Sequence, residues 1–436
     1  MPPINRRGFL GLAGAAGTGL ILAGCAGQTS PQPGKAAATI HAASPKTARG
    51  KVSYWDTFTG ADERKGFESV TSAFQNTYPG INLRAESTPM ADFMTKFTTA
   101  VQSSSTPDSL MVGLANINDM EAMNGLVDIE QSVSAWKGNQ DIDPKLIAPF
   151  QKAGKTYALP CLLFVDWFYY RADWLKEAGI SKPPATWTEF REVAKELTDP
   201  SKDRYGFGMR GGAGGGEQMI KMIVAFNGPL TDKAGKPALK KAAVVTALQQ
   251  YTGMYLVDKS VPPSAPADGY NQIFQSFLTG RTGMLMHHTG SLQSVTAVLK
   301  PGDEVMTAVM PKAKFEMGWT QPLGNGLGSK SGQENSLAWI QYWASAPAQL
   351  KFLDATGYFP SSKKAQQDKH ITDNPMFKAA LHQVEVGTTP NLFTGFPNWQ
   401  TNTVLVQMQA VMVGKQNADK AADVIVNDFE SLFGSK

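Results

Sequence analysis

A glycine-rich stretch, MRGGAGGGEQ at residues 209–218, is the first place where residue types and spacing suggest chemistry. It follows a predicted strand and precedes a predicted helix, and the N-terminus of a helix is where backbone N–H groups bind phosphate. The phosphate-loop pattern requires a lysine after the glycines, however, and Glu217 stands there instead. The dinucleotide pattern G-x-G-x-x-G, begun at Gly212, also meets Glu217 where its last glycine belongs. We therefore expect no nucleotide and no cofactor at this loop.

Short motifs of hydrolytic and metal-dependent enzymes likewise give no support for an enzymatic function. The serine-hydrolase pattern G-x-S-x-G is absent, and S-x-x-K occurs at residues 361–364, where so short a match is common by chance. The adjacent His287 and His288 should point to opposite faces of a strand, and we expect no metal site and no catalysis. A pair of carboxylates at glycosidase spacing could still lie among the 37 acidic residues. An exported carbohydrate-active enzyme, such as a glycoside hydrolase, therefore remains the alternative.

The composition is that of a globular α/β protein. The 436 residues exceed what one compact core usually holds, so two lobes are expected. The formal charge is only +4 and no run of five Lys or Arg occurs, which argues against nucleic acid as a partner. Between residues 51 and 113 predicted strands and helices alternate, as in a parallel α/β layer. Further on, Thr186 and Glu189 have the spacing of a capping box at the start of a helix.

The first 50 residues carry export signals. Arg6 and Arg7 precede an apolar run that is too short to span a bilayer, so residues 1–24 are predicted to be a signal peptide of the twin-arginine type. The run ends LAGC, which resembles the bacterial lipobox, in which the cysteine, here Cys25, is acylated. Residues 25–50 have the composition of a flexible tether. The predicted location is the outer face of a bacterial membrane, with the remaining cysteine, Cys161, buried and inert.

Six motifs in chain order resemble a single family. The longest, GKTYALPCLLFVDWFYYRADWLKEAGISKPPATWTEF at residues 154–190, departs from the family pattern only at Arg171, where Asn is usual. The others include YPGI at 78–81, FQSFLTGRTGMLMHH at 274–288, PLGNGLG at 322–328 and ATGYFP at 355–360. Together they resemble the family 1 extracellular solute-binding proteins of bacterial ATP-binding-cassette (ABC) importers, which include maltose-binding protein.

The resemblance implies a two-lobed α/β periplasmic-binding-protein fold, type II-like, whose lobes close on a ligand by hinge motion. It implies an N-lobe at residues 51–163 plus 284–325 and a C-lobe at 164–283 plus 326–436, joined by strands near 164–167, 281–287 and 321–329. The expected ligand is a sugar, from mono- to oligosaccharide, held between the lobes and delivered by a monomer to the permease subunits in the membrane.

A sugar cleft needs flat apolar faces for the ring C–H surfaces and polar groups for the hydroxyls. Asp166 lies inside the apolar run LLFVDWFYY and is hard to bury without a partner, so either the cleft or a structural salt bridge should hold it. The loop at 391–400 is neutral, whereas it carries an arginine in relatives that bind glycerol phosphates, which favours a neutral sugar. The residues expected at the cleft are Trp55, Asp56, Phe164, Asp166, Trp167, Arg210, Gln218, His288, Trp319, Gly324, Asn325, Tyr358, Phe393 and Trp399.

Overall fold

The computed structural model describes residues 39–329, 333–390 and 392–434, so the predicted signal peptide and Cys25 lie outside the described residues. The predicted α/β class is confirmed. In the described part, the strands are β1 (Gly50–Asp56), β2 (Ile81–Ser87), β3 (Ser109–Gly113), β4 (Gln151–Lys152), β5 (Lys155–Thr156), β6 (Leu159–Arg171), β7 (Tyr205–Phe207), β8 (Thr282–His288), β9 (Val305–Ala308) and β10 (Thr320–Leu327).

The α-helices of the described part range from three to seventeen residues. They are α1 (Ala61–Thr77), α2 (Met90–Gln102), α3 (Ile117–Ala122), α4 (Glu130–Ala135), α5 (Pro144–Ile147), α6 (Ala172–Glu177), α7 (Trp187–Glu196), α8 (Gly215–Asn227), α9 (Lys241–Leu256), α10 (Tyr270–Leu278), α11 (Leu292–Thr296), α12 (Glu334–Trp343), α13 (Ala346–Thr356), α14 (Lys363–Gln366), α15 (Lys369–Thr372), α16 (Lys378–Val386), α17 (Phe396–Asn398), α18 (Leu405–Met412) and α19 (Ala418–Gly434). Within the described part of the chain, every helix is too short or too polar to cross a bilayer.

One long strand connects the two ends of the main sheet, whose order is β2-β1-β3-β10-β6-β8-β7, with β9 also paired to β6. The first half of β6 pairs with β10 up to Val165, and from Asp166 onward β6 pairs with β8. Its near-continuous apolar sequence fits a strand that is covered on both faces. The change of partner at Asp166 places that residue where the chain crosses between the two parts of the sheet.

Two large hydrophobic cores lie along this sheet. The first core gathers β1, α1, α12 and α13, and the second gathers α7, α8, α9, α18 and α19. The lobe boundaries expected from the sequence stay a prediction, and the packing of α12 and α13 against α1 favours grouping both helices with the first core. The capping box is confirmed, because Thr186 Oγ1 accepts the Glu189 N–H at 3.2 Å and Glu189 Oε2 accepts the Thr186 N–H at 2.9 Å.

The segment just before β1 differs from the flexible tether that the sequence predicts up to residue 50. The Ala43 N–H donates to the Glu334 carbonyl at 2.9 Å, and the Ile40 N–H donates to Ser132 Oγ at 3.1 Å. Ala48 is buried in the first core. From residue 40 onward the chain is therefore held against the folded body, because these backbone groups and small apolar side chains find partners there.

Candidate functional site

Aromatic rings from four different elements meet beside the point where β6 changes partner. Phe164 on β6 lies edge-on to His288, the last residue of β8, with ring centroids 5.4 Å apart. Tyr358, in the turn after α13, lies 5.0 Å from Phe164 and stacks on His288 at 5.8 Å. Tyr270, the first residue of α10, stacks on His288 with ring centroids 6.2 Å apart. We call Phe164, Tyr270, His288 and Tyr358 the ring cluster, which combines flat apolar faces with polar edges.

The two adjacent histidines lie together instead of on opposite faces. Their rings are stacked with centroids 4.7 Å apart, because His288 ends β8 and caps the short turn that follows. His287 Nδ1 is 2.7 Å from Ser291 Oγ, and His288 Nδ1 accepts the Gly290 N–H at 3.2 Å. Burial lowers the pKa of both, that of His288 to about 4, so both rings are neutral near pH 7. The expectation of opposite orientations, drawn from ideal strand alternation, was wrong.

A buried network of charges lies next to the ring cluster. Lys221 Nζ on α8 is 2.8 Å from Asp166 Oδ2 and 2.7 Å from Glu217 Oε1. The Trp319 N–H donates to Asp166 Oδ2 at 2.8 Å, and Lys221 Nζ lies 4.9 Å from the centre of the Trp319 ring. Burial raises the pKa of Asp166, and Lys221 opposes that rise. Of the two possibilities left open for Asp166, the structural salt bridge is the one the contacts support.

Glu217 has a different environment from Asp166, although both contact the same ammonium group. Its side chain is 32 % exposed, whereas that of Lys221 is 3 % exposed. Burial works against its charge, but Lys221 and Arg210 lower the pKa of Glu217. Glu217 therefore presents an ionised carboxylate at the edge of the network, where it can accept hydrogen bonds from hydroxyl groups.

The glycine-rich loop is shaped by the protein's own backbone. A Cβ on Gly212 would lie 2.3 Å from the Ala267 carbonyl oxygen, and one on Gly216 would lie 2.2 Å from the Gln400 carbonyl oxygen. Gly214 has φ +81° and lies under the Arg210 side chain, whose Nε donates to the Ala213 carbonyl at 2.7 Å. The glycines thus make room for neighbouring chain segments rather than for a ligand. They hold the Arg210 guanidinium 5.6 Å from the centre of the Tyr270 ring.

A further acidic residue, Glu63 on α1, reaches the ring cluster. Tyr358 O–H donates to Glu63 Oε1 at 2.9 Å, and Glu63 Oε2 accepts the N–H groups of Thr59 and Gly60 at the start of α1. Burial, together with Glu63, raises the pKa of Tyr358 well above its usual range. The contact joins α1 to the turn after α13 at the edge of the ring cluster.

The structure brings together some of the predicted residues and separates others. Phe164, Asp166, Arg210, His288, Trp319 and Tyr358 lie in the ring cluster or the charge network. Gln218 is buried in the first turn of α8, and its Oε1 accepts no hydrogen bond from the described residues. The site also includes Tyr270 in the ring cluster, Glu217 and Lys221 in the charge network, and Glu63 at the edge of the ring cluster, none of which was predicted from the sequence. Glu217 and Lys221 have the i, i+4 spacing of a helical ion pair, and this spacing in the sequence could have indicated the pair.

The remaining predicted residues contact other parts of the molecule. The Trp55 ring is covered by Lys96, whose Nζ is 3.9 Å from the ring centre, and Asp56 accepts hydrogen bonds from the Phe58 N–H and Ser87 Oγ. Buried positions in the cores are occupied by Trp167, Gly324, Asn325 and Trp399. Phe393 packs on Trp399, Phe396, Phe429 and Phe433.

The contacts of Asn325, Trp399 and Trp167 explain why these residues are buried. Asn325 Oδ1 accepts the Tyr54 hydroxyl at 2.7 Å, and the Trp399 Nε1–H donates to the Ile425 carbonyl at 3.2 Å, so these two polar atoms have partners inside a core. Trp167 lies between Tyr169 and Phe377 at ring-centroid distances of 5.2 and 6.1 Å. Cys161 is buried as expected, and burial raises the pKa of its thiol. Among the described residues, no three His, Cys, Asp or Glu side chains are arranged to hold a metal ion.

Comparison with known sequences identifies the family. The profile of the bacterial extracellular solute-binding protein family matches residues 60–350. The chain belongs to this family. This family is one of extracellular binding proteins, which act outside the cytoplasm. The resemblance seen in the six motifs is confirmed.

Individual relatives carry different ligand names. A mannitol-binding protein of Pseudomonas aeruginosa is 26% identical over 233 residues, which is 52% of this chain and 49% of the relative. A maltotriose-binding protein of Pyrococcus abyssi is 24% identical over 336 residues, which is 75% of this chain and 70% of the relative. The solute-binding protein thus matches about half the length of the first relative and more of the second.

Solved structures share the fold at low identity. The GacH receptor of Streptomyces glaucescens, solved unliganded and with acarbose, has a TM-score of 0.79 at 20% identity and covers 89% of this chain and 99% of its own. A solute-binding protein of Agrobacterium vitis with bound D-mannitol has a TM-score of 0.69 at 22% identity. The match covers 88% of this chain and 98% of that protein. The maltose-binding-protein-like, two-lobed fold expected from the motifs is confirmed.

Proposed function

We propose that this solute-binding protein captures an uncharged sugar or sugar alcohol at the ring cluster and delivers it to the permease subunits of an ABC importer. The observation that carries the proposal is the combination, at one place, of ring faces from Phe164, His288 and Tyr358 with the carboxylate of Glu217 and the guanidinium of Arg210. Ring faces pack against C–H surfaces, and charged groups make strong hydrogen bonds to hydroxyls. The names of the mannitol- and maltotriose-binding relatives support this ligand class.

The charges around the ring cluster favour an uncharged ligand. Glu63, Asp166 and Glu217 are acidic, whereas Arg210 and Lys221 are basic, and Lys221 is already held by two of the carboxylates. Both histidines are neutral near pH 7 because burial lowers their pKa. One unit of negative charge is therefore left without a cation, and a sugar phosphate or a sugar acid would be repelled.

Isothermal titration calorimetry with mannitol, maltotriose, glucose and glucose 6-phosphate tests the proposal. We expect one uncharged member of this panel to bind with a dissociation constant in the micromolar range or below, and no binding of the phosphate ester. Phe164→Ala should weaken that binding at least about tenfold, about 1.4 kcal/mol. Phe396→Leu, a change in the second core, should leave it unaltered. Binding that is limited to the phosphate ester, or unaffected by Phe164→Ala, would overturn the proposal.

The alternative of an exported carbohydrate-active enzyme makes an opposite prediction. The same protein incubated with maltotriose and with a chromogenic glycoside should release no product during hours at micromolar enzyme concentration, as judged by chromatography. Release of glucose that depends on Glu63 or Glu217 would favour a glycoside hydrolase, since two carboxylates are what such chemistry requires.

We also propose that the exported protein is anchored through Cys25 as a monomeric lipoprotein, after export through the twin-arginine route. The LAGC sequence and the paired Arg6 and Arg7 support this proposal. Cys25→Ala should move the protein from the membrane fraction to the soluble fraction, whereas Cys161→Ala should not. Membrane association that persists in Cys25→Ala would contradict the anchor.

A further inference from the structure

A cavity of about 450 Å³ is lined in part by Trp319, whose ring also contacts Lys221 of the charge network. Its walls come from α8, from the segment before β10 and from the chain after α16, and the apolar side chains among them are Val224, Leu230, Phe315, Trp319, Val386 and Phe396. None of these residues except Trp319 belongs to the site described above. The cavity is therefore a separate feature of the second core.

The size and lining of this cavity set it apart from a packing defect. Protein interiors are packed about as densely as organic crystals, and an apolar cavity of about 150 Å³ already takes up benzene. A volume of about 450 Å³ falls within the range of small-molecule sites. Phe315, one of the lining residues, remains 38% exposed, so the cavity can be reached from solvent at this side chain.

The few polar groups of the lining define what could occupy it. Glu316 supplies a carboxylate at the rim, and Thr388 and Thr389 supply hydroxyls on one wall. No basic side chain lines the cavity among the described residues, so an anion would meet a carboxylate without a compensating cation. A sugar would leave most of its hydroxyls without partners against Val224, Leu230 and Phe396, which is costly. The chemistry fits a small, uncharged, mainly apolar molecule.

The cavity lies beside Trp319, where backbone hydrogen bonds join three segments of the chain. The Asp166 N–H donates to the Trp319 carbonyl at 2.9 Å on one side, and the Thr320 N–H donates to the Thr388 carbonyl at 3.0 Å on the other. Trp319 thus lies where β6, β10 and the chain after α16 meet, with Lys221 against its ring. An occupant of the cavity would contact the same Trp319 side chain that contacts the charge network.

We propose that this cavity is a second ligand site, which binds a small uncharged apolar molecule independently of the ring cluster. The probe is N-phenyl-1-naphthylamine, an uncharged aromatic amine whose fluorescence rises in apolar surroundings. We expect saturable binding of one probe per protein. Val224→Phe on α8 and Val386→Phe on α16 should each fill the cavity and weaken probe binding at least tenfold. Val424→Phe, the same change at a site on α19 that is 42% exposed, should leave it unchanged.

Two further measurements keep this proposal separate from the proposed function. Hydrogen exchange of the unmodified protein with the probe should be slowed around residues 224–230 and 386–390, which requires no variant to fold. Calorimetry of Val224→Phe with the bound sugar or sugar alcohol should give the unmodified affinity. Absence of probe binding, protection confined to other segments, or equal probe affinity in both filling variants would overturn the second site. Failure of all sugars to bind would instead overturn the proposed function and leave the probe result standing.

Discussion

Lys221 Nζ lies 2.8 Å from Asp166 Oδ2, and the two side chains are only 3% and 7% exposed. Asp166 is the residue at which β6 leaves β10 and pairs with β8, and its carboxylate also accepts the Trp319 N–H. The ion pair therefore ties α8 to the crossing of two strands. Burial opposes the charge on Lys221, but Asp166 and Glu217 outweigh burial and raise the pKa of Lys221, so the ammonium form persists.

Removing the Lys221 ammonium group should destabilise the folded protein more than the loss of one surface charge would. Lys221→Met leaves two carboxylates without their shared partner, one of them buried, and this should lower the free energy of unfolding by about 3–5 kcal/mol. Urea denaturation at pH 7 measures the loss. Lys241→Met is the matched control, because Lys241 Nζ pairs with Asp419 and Asp423 at the surface, and it should destabilise the protein much less than Lys221→Met. Equal losses in the two variants would mean that the buried pair is no more important than the surface one.

Arg210 should matter for ligand binding more than for stability. Its guanidinium lies 5.6 Å from the Tyr270 ring centre, so Arg210→Ala removes a hydrogen-bond donor from the edge of the ring cluster. We expect sugar affinity to fall about tenfold, about 1.4 kcal/mol, while the free energy of unfolding falls by about 1 kcal/mol or less. Calorimetry and urea denaturation give the two values. Arg204→Ala removes a similar contact with Trp174, at 4.6 Å, and should leave sugar affinity unchanged. An unchanged affinity in Arg210→Ala would remove this residue from the site.

The contrast between Phe164 and Trp399 shows what the sequence could predict of the site. Both are aromatic residues in motifs shared with the family, and both were expected at the cleft. Phe164 contacts His288 and Tyr358, whereas Trp399 is fully buried against Phe393 and Phe429. A shared motif indicates roughly where along the chain a site residue lies. Whether its side chain faces the site or a core depends on tertiary neighbours, which a local sequence pattern does not predict.

Local patterns were more reliable for the elements themselves. The capping box of Thr186 and the alternating strands and helices between residues 51 and 113 follow from short-range spacing. Lys221 could not be foreseen as the partner of Asp166, because 55 residues separate them and the contact depends on how α8 packs on the sheet.

The glycine-rich loop should tolerate no side chain at Gly212. A Cβ there would lie 2.3 Å from the Ala267 carbonyl oxygen, a backbone atom that cannot move alone. Gly212→Ala should therefore lower the free energy of unfolding by about 2 kcal/mol, within the usual cost of overpacking. Gly434→Ala, where no described residue lies within 4 Å of the new methyl group, is the control and should change stability by under about 0.5 kcal/mol. If Gly212→Ala were as stable as the unmodified protein, the loop would be free to move away from residue 267.

Stability should decrease as the pH is lowered through a range that is set by His288. Burial lowers the pKa of His288 to about 4, with Glu217 opposing and Lys221 and Arg210 adding to the shift, whereas a histidine in the unfolded chain has a pKa of about 6.5. Between about pH 6.5 and 4 the unfolded chain therefore binds a proton that the folded protein does not, so stability declines as the pH falls through this range. One histidine contributes a slope of up to about 1.4 kcal/mol per pH unit.

His288→Phe keeps a ring against Tyr358 and Phe164 but removes the titrating group. Urea denaturation between pH 8 and 4 should show a slope smaller by up to about 1.4 kcal/mol per pH unit than in the unmodified protein. The slope should not vanish, because burial also lowers the pKa of the neighbouring His287. His382→Phe, at a side chain that is 57% exposed on α16, should keep the original slope. An identical pH dependence in His288→Phe and the unmodified protein would mean that His288 is protonated as readily in the folded protein as in the unfolded chain.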